Sequence, residues 1–107
     1  MNPAKTRLIL DELFMERERQ NCIFGEQNFP LVKKIDPKEN HLRYGIIDEE
    51  HAKFRVDNNQ ELTYFNLLIE EVSEAVSAHD YQSMREELIQ VGAVVVQMIE
   101  ALDRNKQ

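Results

Sequence analysis

Apolar residues recur at helical spacing through the second half of the chain. From residue 62 to residue 102 they fall three or four positions apart, the repeat of one buried helix face. His79-Asp80 interrupts the repeat once, which predicts two helices, from about Gln60 to Ala78 and from about Tyr81 to Asp103. With only a few residues between them, the two helices are expected to pack as an antiparallel hairpin. The predicted core positions are Leu62, Phe65, Leu68, Ile69, Val72, Ala75, Val76, Met84, Leu88, Val91, Val95, Met98, Ile99 and Leu102.

The first half of the chain predicts two further helices. Asn2 followed by Pro3 is a favourable helix start, because the amide side chain caps free N–H groups and proline needs no hydrogen bond there. That helix is expected to reach about Gln20 and to end before Gly25. Its predicted buried stripe contains Leu8, Ile9, Leu10, Leu13, Phe14 and Met15.

Residues 25–42 carry glycine, prolines and polar residues, which is typical of a loop, with a short helical turn after Asp36-Pro37. A second helix is expected over Ile46–Val56, with Ile47, Ala52 and Phe54 facing inward. Asn58 and Glu61 match a capping box that would start the helix near Gln60. The sequence thus predicts an all-α, four-helix fold in a single domain over residues 1–107.

Charge and composition exclude several classes of function. The net charge of -7 argues against non-specific nucleic-acid binding, which needs clustered Lys and Arg. Cys22 is the only cysteine, so no internal disulfide forms and a reducing cytoplasm is the expected location. No apolar run is long enough to cross a bilayer, so no membrane association is expected. The three scattered histidines are predicted to be surface residues.

Two acidic motifs lie on the predicted hairpin. Glu70, Glu71 and Glu74 form the first, and Glu87 with Gln90 forms the second, with residues 75–86 between them. Residues three or four apart share a helix face, so each motif points its side chains one way. If the two faces meet, they form a pocket of hard oxygen ligands suited to Mg²⁺. A solvated acidic surface is the alternative interpretation.

The pattern Glu-Glu-x-x-Glu, twelve residues, then Glu-x-x-Gln resembles the signature of the MazG-like all-α nucleoside triphosphate pyrophosphohydrolases. Residues 68–104 are similar to short bacterial and phage members of that superfamily. Glu18-Arg19-Gln20 and the segment Gly25–Pro30 carry a second, N-terminal similarity. The resemblance therefore covers most of the chain.

The resemblance implies a chemistry and a set of ligands. Residues matching Glu71, Glu74 and Glu87 bind Mg²⁺ in the family, with Mn²⁺ as a substitute, and an aspartate stands where this chain has Gln90. The residue matching Glu70 is a further ligand or a base that orients water. The reaction splits a nucleoside triphosphate between its α and β phosphates, and the enzymes are homodimers or dimers of dimers.

Gln90 is a departure from the family pattern, because an amide offers a carbonyl oxygen without charge. Three outcomes follow: Glu86 or Glu70 substitutes, one cation serves instead of two, or the chain is a catalytically inactive helical module for nucleotide or protein binding.

Four residues are candidates for substrate binding. Phe24 could stack on a base and Asn28 could read the edge of that base. The structural alternatives are that Phe24 belongs to the core and that Asn28 caps a turn. Arg85 and Arg104 could contact the triphosphate, although Arg85 equally fits a surface pairing with nearby glutamates.

Overall fold

The computed structural model describes residues 1–32, 35–36, 38–58 and 62–105. Within these ranges every regular element is a helix, and there are five: α1 (Pro3–Phe24), α2 (Asn40–Arg43), α3 (Glu49–Asn58), α4 (Tyr64–Val76) and α5 (Tyr81–Asn105). The all-α prediction is confirmed. The helix beyond the four predicted ones is α2, a single turn that forms where the sequence predicted a short helical turn inside the loop.

The predicted start of α1 is confirmed. Asn2 accepts a hydrogen bond from the backbone N–H of Lys5 through its side-chain oxygen, at 3.2 Å, and Pro3 opens the helix. The helix extends past the expected end near Gln20 and stops at Gly25. The φ of Gly25 is +68°, a left-handed conformation that glycine adopts without a steric penalty, and its N–H donates to the Asn21 carbonyl at 2.8 Å.

The predicted start of α4 is wrong. Asn58 is the last residue of α3 and donates its side-chain amide to the Phe54 carbonyl at 2.8 Å, whereas Glu61 lies outside the described residues. The capping box is instead formed by Thr63 and Asn66. The N–H of Asn66 donates to Thr63 Oγ1 at 3.3 Å, and the N–H of Thr63 donates to Asn66 Oδ1 at 3.1 Å. An asparagine amide oxygen thus replaces the carboxylate of the usual box.

The chain divides into two compact units. The first comprises Met1–Leu31 and Val96–Gln107, and therefore contains α1 and the C-terminal part of α5; the second comprises Val32–Val95. In the second unit, α4 contacts both α3 and α2, and a small core joins Val32, Ala78 and Met84 with Ile35 packed against it. A single domain over residues 1–107 stays a prediction.

Core predictions are confirmed at four positions and wrong at several others. Ile9, Ala52, Ala75 and Met84 are buried. Eleven predicted core positions are exposed instead, because few described helices are available to cover them. In α1 these are Leu8, Leu10, Leu13, Phe14 and Met15, and elsewhere they are Phe54, Leu62, Phe65, Ile69, Leu88 and Leu102. Among the described residues, no helix is both long and apolar enough to traverse a membrane.

Candidate metal centre

Three glutamates of the predicted acidic motifs converge in the second unit. Glu71 and Glu74 lie on α4, three residues apart and so on one helix face, and Glu87 lies near the start of α5. One carboxylate oxygen from each lies within 4.8 Å of the other two. Over the described parts of the chain, no other group of three His, Cys, Asp or Glu residues comes this close.

The three side chains are partly shielded from solvent. All three residues are half-buried, and Ser73 and Ala75 beside them on α4 are buried, so this part of α4 is closely covered. Oε2 of Glu71 and Oε2 of Glu87 are closed to solvent, and neither has a hydrogen-bond partner among the described residues. A buried anionic oxygen without a partner is costly, so this arrangement favours a proton or a cation.

The raised pKa values of Glu71 and Glu74 also show that ionising these side chains is unfavourable. The pKa of Glu74 is raised to about 7, first by burial, then by a hydrogen bond with Glu87 and by repulsion from Glu71, Glu87 and Glu70. Burial, followed by the charges of Glu87 and Glu70, also raises the pKa of Glu71. Near neutral pH the cluster therefore retains a proton that a cation can displace.

The donor set fits a hard divalent cation. Carboxylate oxygens are the ligands that Mg²⁺ and Mn²⁺ accept. The three carboxylate oxygens lie within 4.8 Å of one another, so after side-chain rotation a single cation could contact all three through bonds of about 2.1 Å.

The remaining acidic-motif residues surround this cluster without belonging to the set of three. Glu70 is half-buried and close enough for its charge to raise the pKa of both Glu71 and Glu74. Gln90 is exposed, one helical turn beyond Glu87. Glu86 is also exposed, and it accepts a hydrogen bond from the Gln82 amide at 3.2 Å. Because Glu86 is not among the three clustered carboxylates, the structure does not support Glu86 as the substitute ligand.

The candidate substrate-binding residues are all exposed. Phe24 and Asn28 belong to the first unit. Phe24 is 61% exposed, so the alternative that placed it in the core is wrong. Arg85 is on α5 in the second unit, and no described residue forms an ion pair with it. Arg104 lines a cavity of about 680 Å³ in the first unit, together with Lys5 and the buried Ile9.

A second cavity was not predicted from the sequence. It lies in the second unit, measures about 380 Å³, and is lined by His41, Asp48, Glu49, Glu50, Ser77 and His79. These residues come from α2, from the start of α3 and from the α4–α5 connection. Their separation along the chain gave no spacing signal by which a sequence pattern could find them.

Comparison of the chain with protein-family models, with curated proteins and with solved structures finds no match. The resemblance to MazG-like enzymes therefore stays a prediction from the motif residues. The convergence of Glu71, Glu74 and Glu87 in three dimensions does not depend on that resemblance.

Proposed function

We propose that this protein is a Mg²⁺-dependent nucleoside triphosphate pyrophosphohydrolase that cleaves between the α and β phosphates. The observation that carries the proposal is the meeting of three carboxylate oxygens from α4 and α5 within 4.8 Å. The MazG-like pattern of the same residues supplies the reaction class. Standard, modified or surplus (d)NTPs are the proposed substrates, and nucleoside monophosphate and pyrophosphate the products.

Each residue of the cluster has a proposed role. Glu71, Glu74 and Glu87 would hold the cation, which when bound supplies charge neutralisation on the phosphate oxygens and activation of water. Glu70 lies beside Glu71 in the chain and is half-buried, and its proposed role is to accept a proton from an attacking water or to act as a further ligand. Gln90 would contribute a neutral amide oxygen near Glu87.

Repulsion within the cluster supports this role. Burial first, then a hydrogen bond with Glu87 and the charges of Glu71, Glu87 and Glu70, raise the pKa of Glu74 to about 7, so ionising it costs stability in the ligand-free fold. A divalent cation reverses that cost, because it attracts all three charges at once. The net charge of -7 does not exclude a polyphosphate ligand, because a bound cation can invert the local sign.

We extend the proposal to a homodimer or dimer of dimers. On α4, Phe65 is 65% exposed and Ile69 is 39% exposed, one turn apart on one face. Such a patch in water favours association, and a second copy would bury it.

A catalytically inactive helical module for nucleotide or protein binding is the second candidate. Gln90 favours it, because the site has one negative charge fewer than the family pattern, and a compact Mg²⁺ site depends strongly on charge.

Product analysis tests the two candidates. The purified protein is incubated with Mg²⁺, and separately with Mn²⁺, and a panel of standard and modified (d)NTPs, and both products are measured. Equal release of monophosphate and pyrophosphate from any substrate supports the enzyme, provided that Glu71→Gln abolishes it and the surface control Glu86→Gln retains it. Orthophosphate without pyrophosphate contradicts α–β cleavage. No release with either metal would leave the inactive module as the better account.

A further inference from the structure

Two of the three histidines of the chain line the cavity of about 380 Å³ in the second unit. His41 belongs to α2 and His79 to the α4–α5 connection, so elements distant in sequence bring the two imidazoles to one space. Glu49 and Glu50, in the first turn of α3, contribute carboxylates to the same lining. None of these four side chains forms a hydrogen bond or an ion pair with another described residue.

His41 offers one nitrogen to the cavity. Its Nδ1 is closed to solvent and has no hydrogen-bond partner among the residues described. Nε2 is not among the solvent-closed atoms and is equally unpartnered, so Nε2 is the nitrogen available to a ligand. His41 also lies near Asp48, whose pKa is lowered mainly by the backbone N–H of His51 and in smaller part by the charge of His41.

The charges of the lining select a cation. Asp48, Glu49 and Glu50 give the cavity negative charge. Asp48 is already engaged, since its carboxylate bonds the His51 ring at 2.7 and 2.9 Å. The free donors are therefore two imidazole nitrogens and the carboxylates of α3, a set that Zn²⁺ and related transition metals prefer and that Mg²⁺ does not.

We propose that this cavity, the histidine cavity, is a second cation site that takes Zn²⁺ through His41, His79 and a carboxylate of Glu49 or Glu50. No three of these donors lie within 4.8 Å of one another in the structure, so binding requires rotation of exposed side chains. Glu49, Glu50 and His79 are exposed and free to rotate. A bound ion would connect α2, the start of α3 and the α4–α5 connection.

The proposal predicts that Zn²⁺ stabilises the fold, because a ligand bound only to the native state raises the unfolding midpoint. Thermal unfolding is followed by circular dichroism with Zn²⁺ in the presence of excess Mg²⁺. The midpoint of the wild type should rise, and His41→Ala and His79→Ala should each weaken Zn²⁺ binding at least tenfold by calorimetric titration. His51→Asn is the matched control, because His51 does not line the cavity and an asparagine amide can replace its hydrogen bond to Asp48, which does.

The Glu71→Gln variant separates this site from the proposed metal centre. It should lose turnover and still bind Zn²⁺ as the wild type does. Loss of Zn²⁺ binding in Glu71→Gln, with retention in His41→Ala and His79→Ala, would overturn the proposal and assign the ion to the acidic cluster. An unchanged wild-type midpoint with Zn²⁺ would overturn it as well. If His41→Ala does not fold, His79→Ala decides, since His79 is exposed.

Discussion

Replacing Glu74 by glutamine should stabilise the metal-free protein at neutral and alkaline pH. The pKa of Glu74 is about 7 in the fold, against an ordinary value of 4.5. Since the folded state holds this proton more tightly than the unfolded state, the stabilising contribution is complete below pH 4.5. It is lost as the pH rises through 7. Glutamine does not titrate, so Glu74→Gln removes this loss and keeps a similar volume.

The size of the effect follows from the difference in pKa. A separation of about 2.5 in pKa corresponds to about 3.4 kcal/mol if solvent screens nothing. Glu74 is only half-buried, so screening reduces this to roughly 1–2 kcal/mol. For a domain of this size, that corresponds to an unfolding midpoint roughly 5–10 °C higher at pH 8.

The assay is urea and thermal unfolding at pH 5, 6, 7 and 8 in EDTA, for wild type, Glu74→Gln and the control Glu86→Gln. Glu86 has a similar sequence setting but is exposed. The carboxyls with lowered pKa values, Glu16, Asp48 and Asp80, titrate below this range and do not interfere. A wild type whose stability does not fall from pH 5 to pH 8, or a Glu74→Gln protein no more stable than wild type at pH 8, would refute the reasoning.

Three further changes test other parts of the structure. Gln90→Asp should tighten Mn²⁺ binding about tenfold, or about 1.4 kcal/mol, because it adds a negative charge one turn from Glu87. Calorimetric titration measures the affinity, and Gln82→Asp is the control. Thr63→Ala should cost about 1 kcal/mol in urea unfolding by removing the cap of α4, whereas Thr63→Ser should not. Phe65→Glu should convert the proposed oligomer to a monomer in light scattering, while the equally exposed Phe54→Glu should not.

Local signals in the sequence predicted the helices well. Asn2 and Pro3 act within one helical turn, so the start of α1 follows from those residues alone. The start of α4 was missed because a carboxylate or glutamine was expected in the capping box. Asn66 satisfies the same N–H with a shorter side chain. The existence of α4 was therefore predictable. Its first residue depended on whether Asn58 and Glu61 or Thr63 and Asn66 form the capping box.

Burial was less predictable than helicity. Helical spacing shows which face of α4 is apolar, but it does not show what covers that face. Ala75 is buried, whereas Phe65 on the same helix is 65% exposed. Residue size does not decide burial, since the large residues Ile9 and Met84 are buried.

The acidic cluster was predictable because its spacing is local within each helix and the connection between the helices is short. Glu71 and Glu74 share a face of α4, and the four residues before α5 return the chain beside it. The histidine cavity was not predictable, because His41 and His79 line one space only as a result of tertiary packing. No periodicity along the chain encodes that arrangement.

Direct counting of bound Mn²⁺ tests the central claim that Glu71, Glu74 and Glu87 form a divalent-cation site. Electron paramagnetic resonance measures free Mn²⁺ during titration of wild type, Glu71→Gln and Glu86→Gln, each carrying His41→Ala so that the histidine cavity does not contribute. The account predicts a saturable site in the wild-type background and with Glu86→Gln, and at least tenfold weaker binding with Glu71→Gln. Equal binding by all three proteins would contradict it.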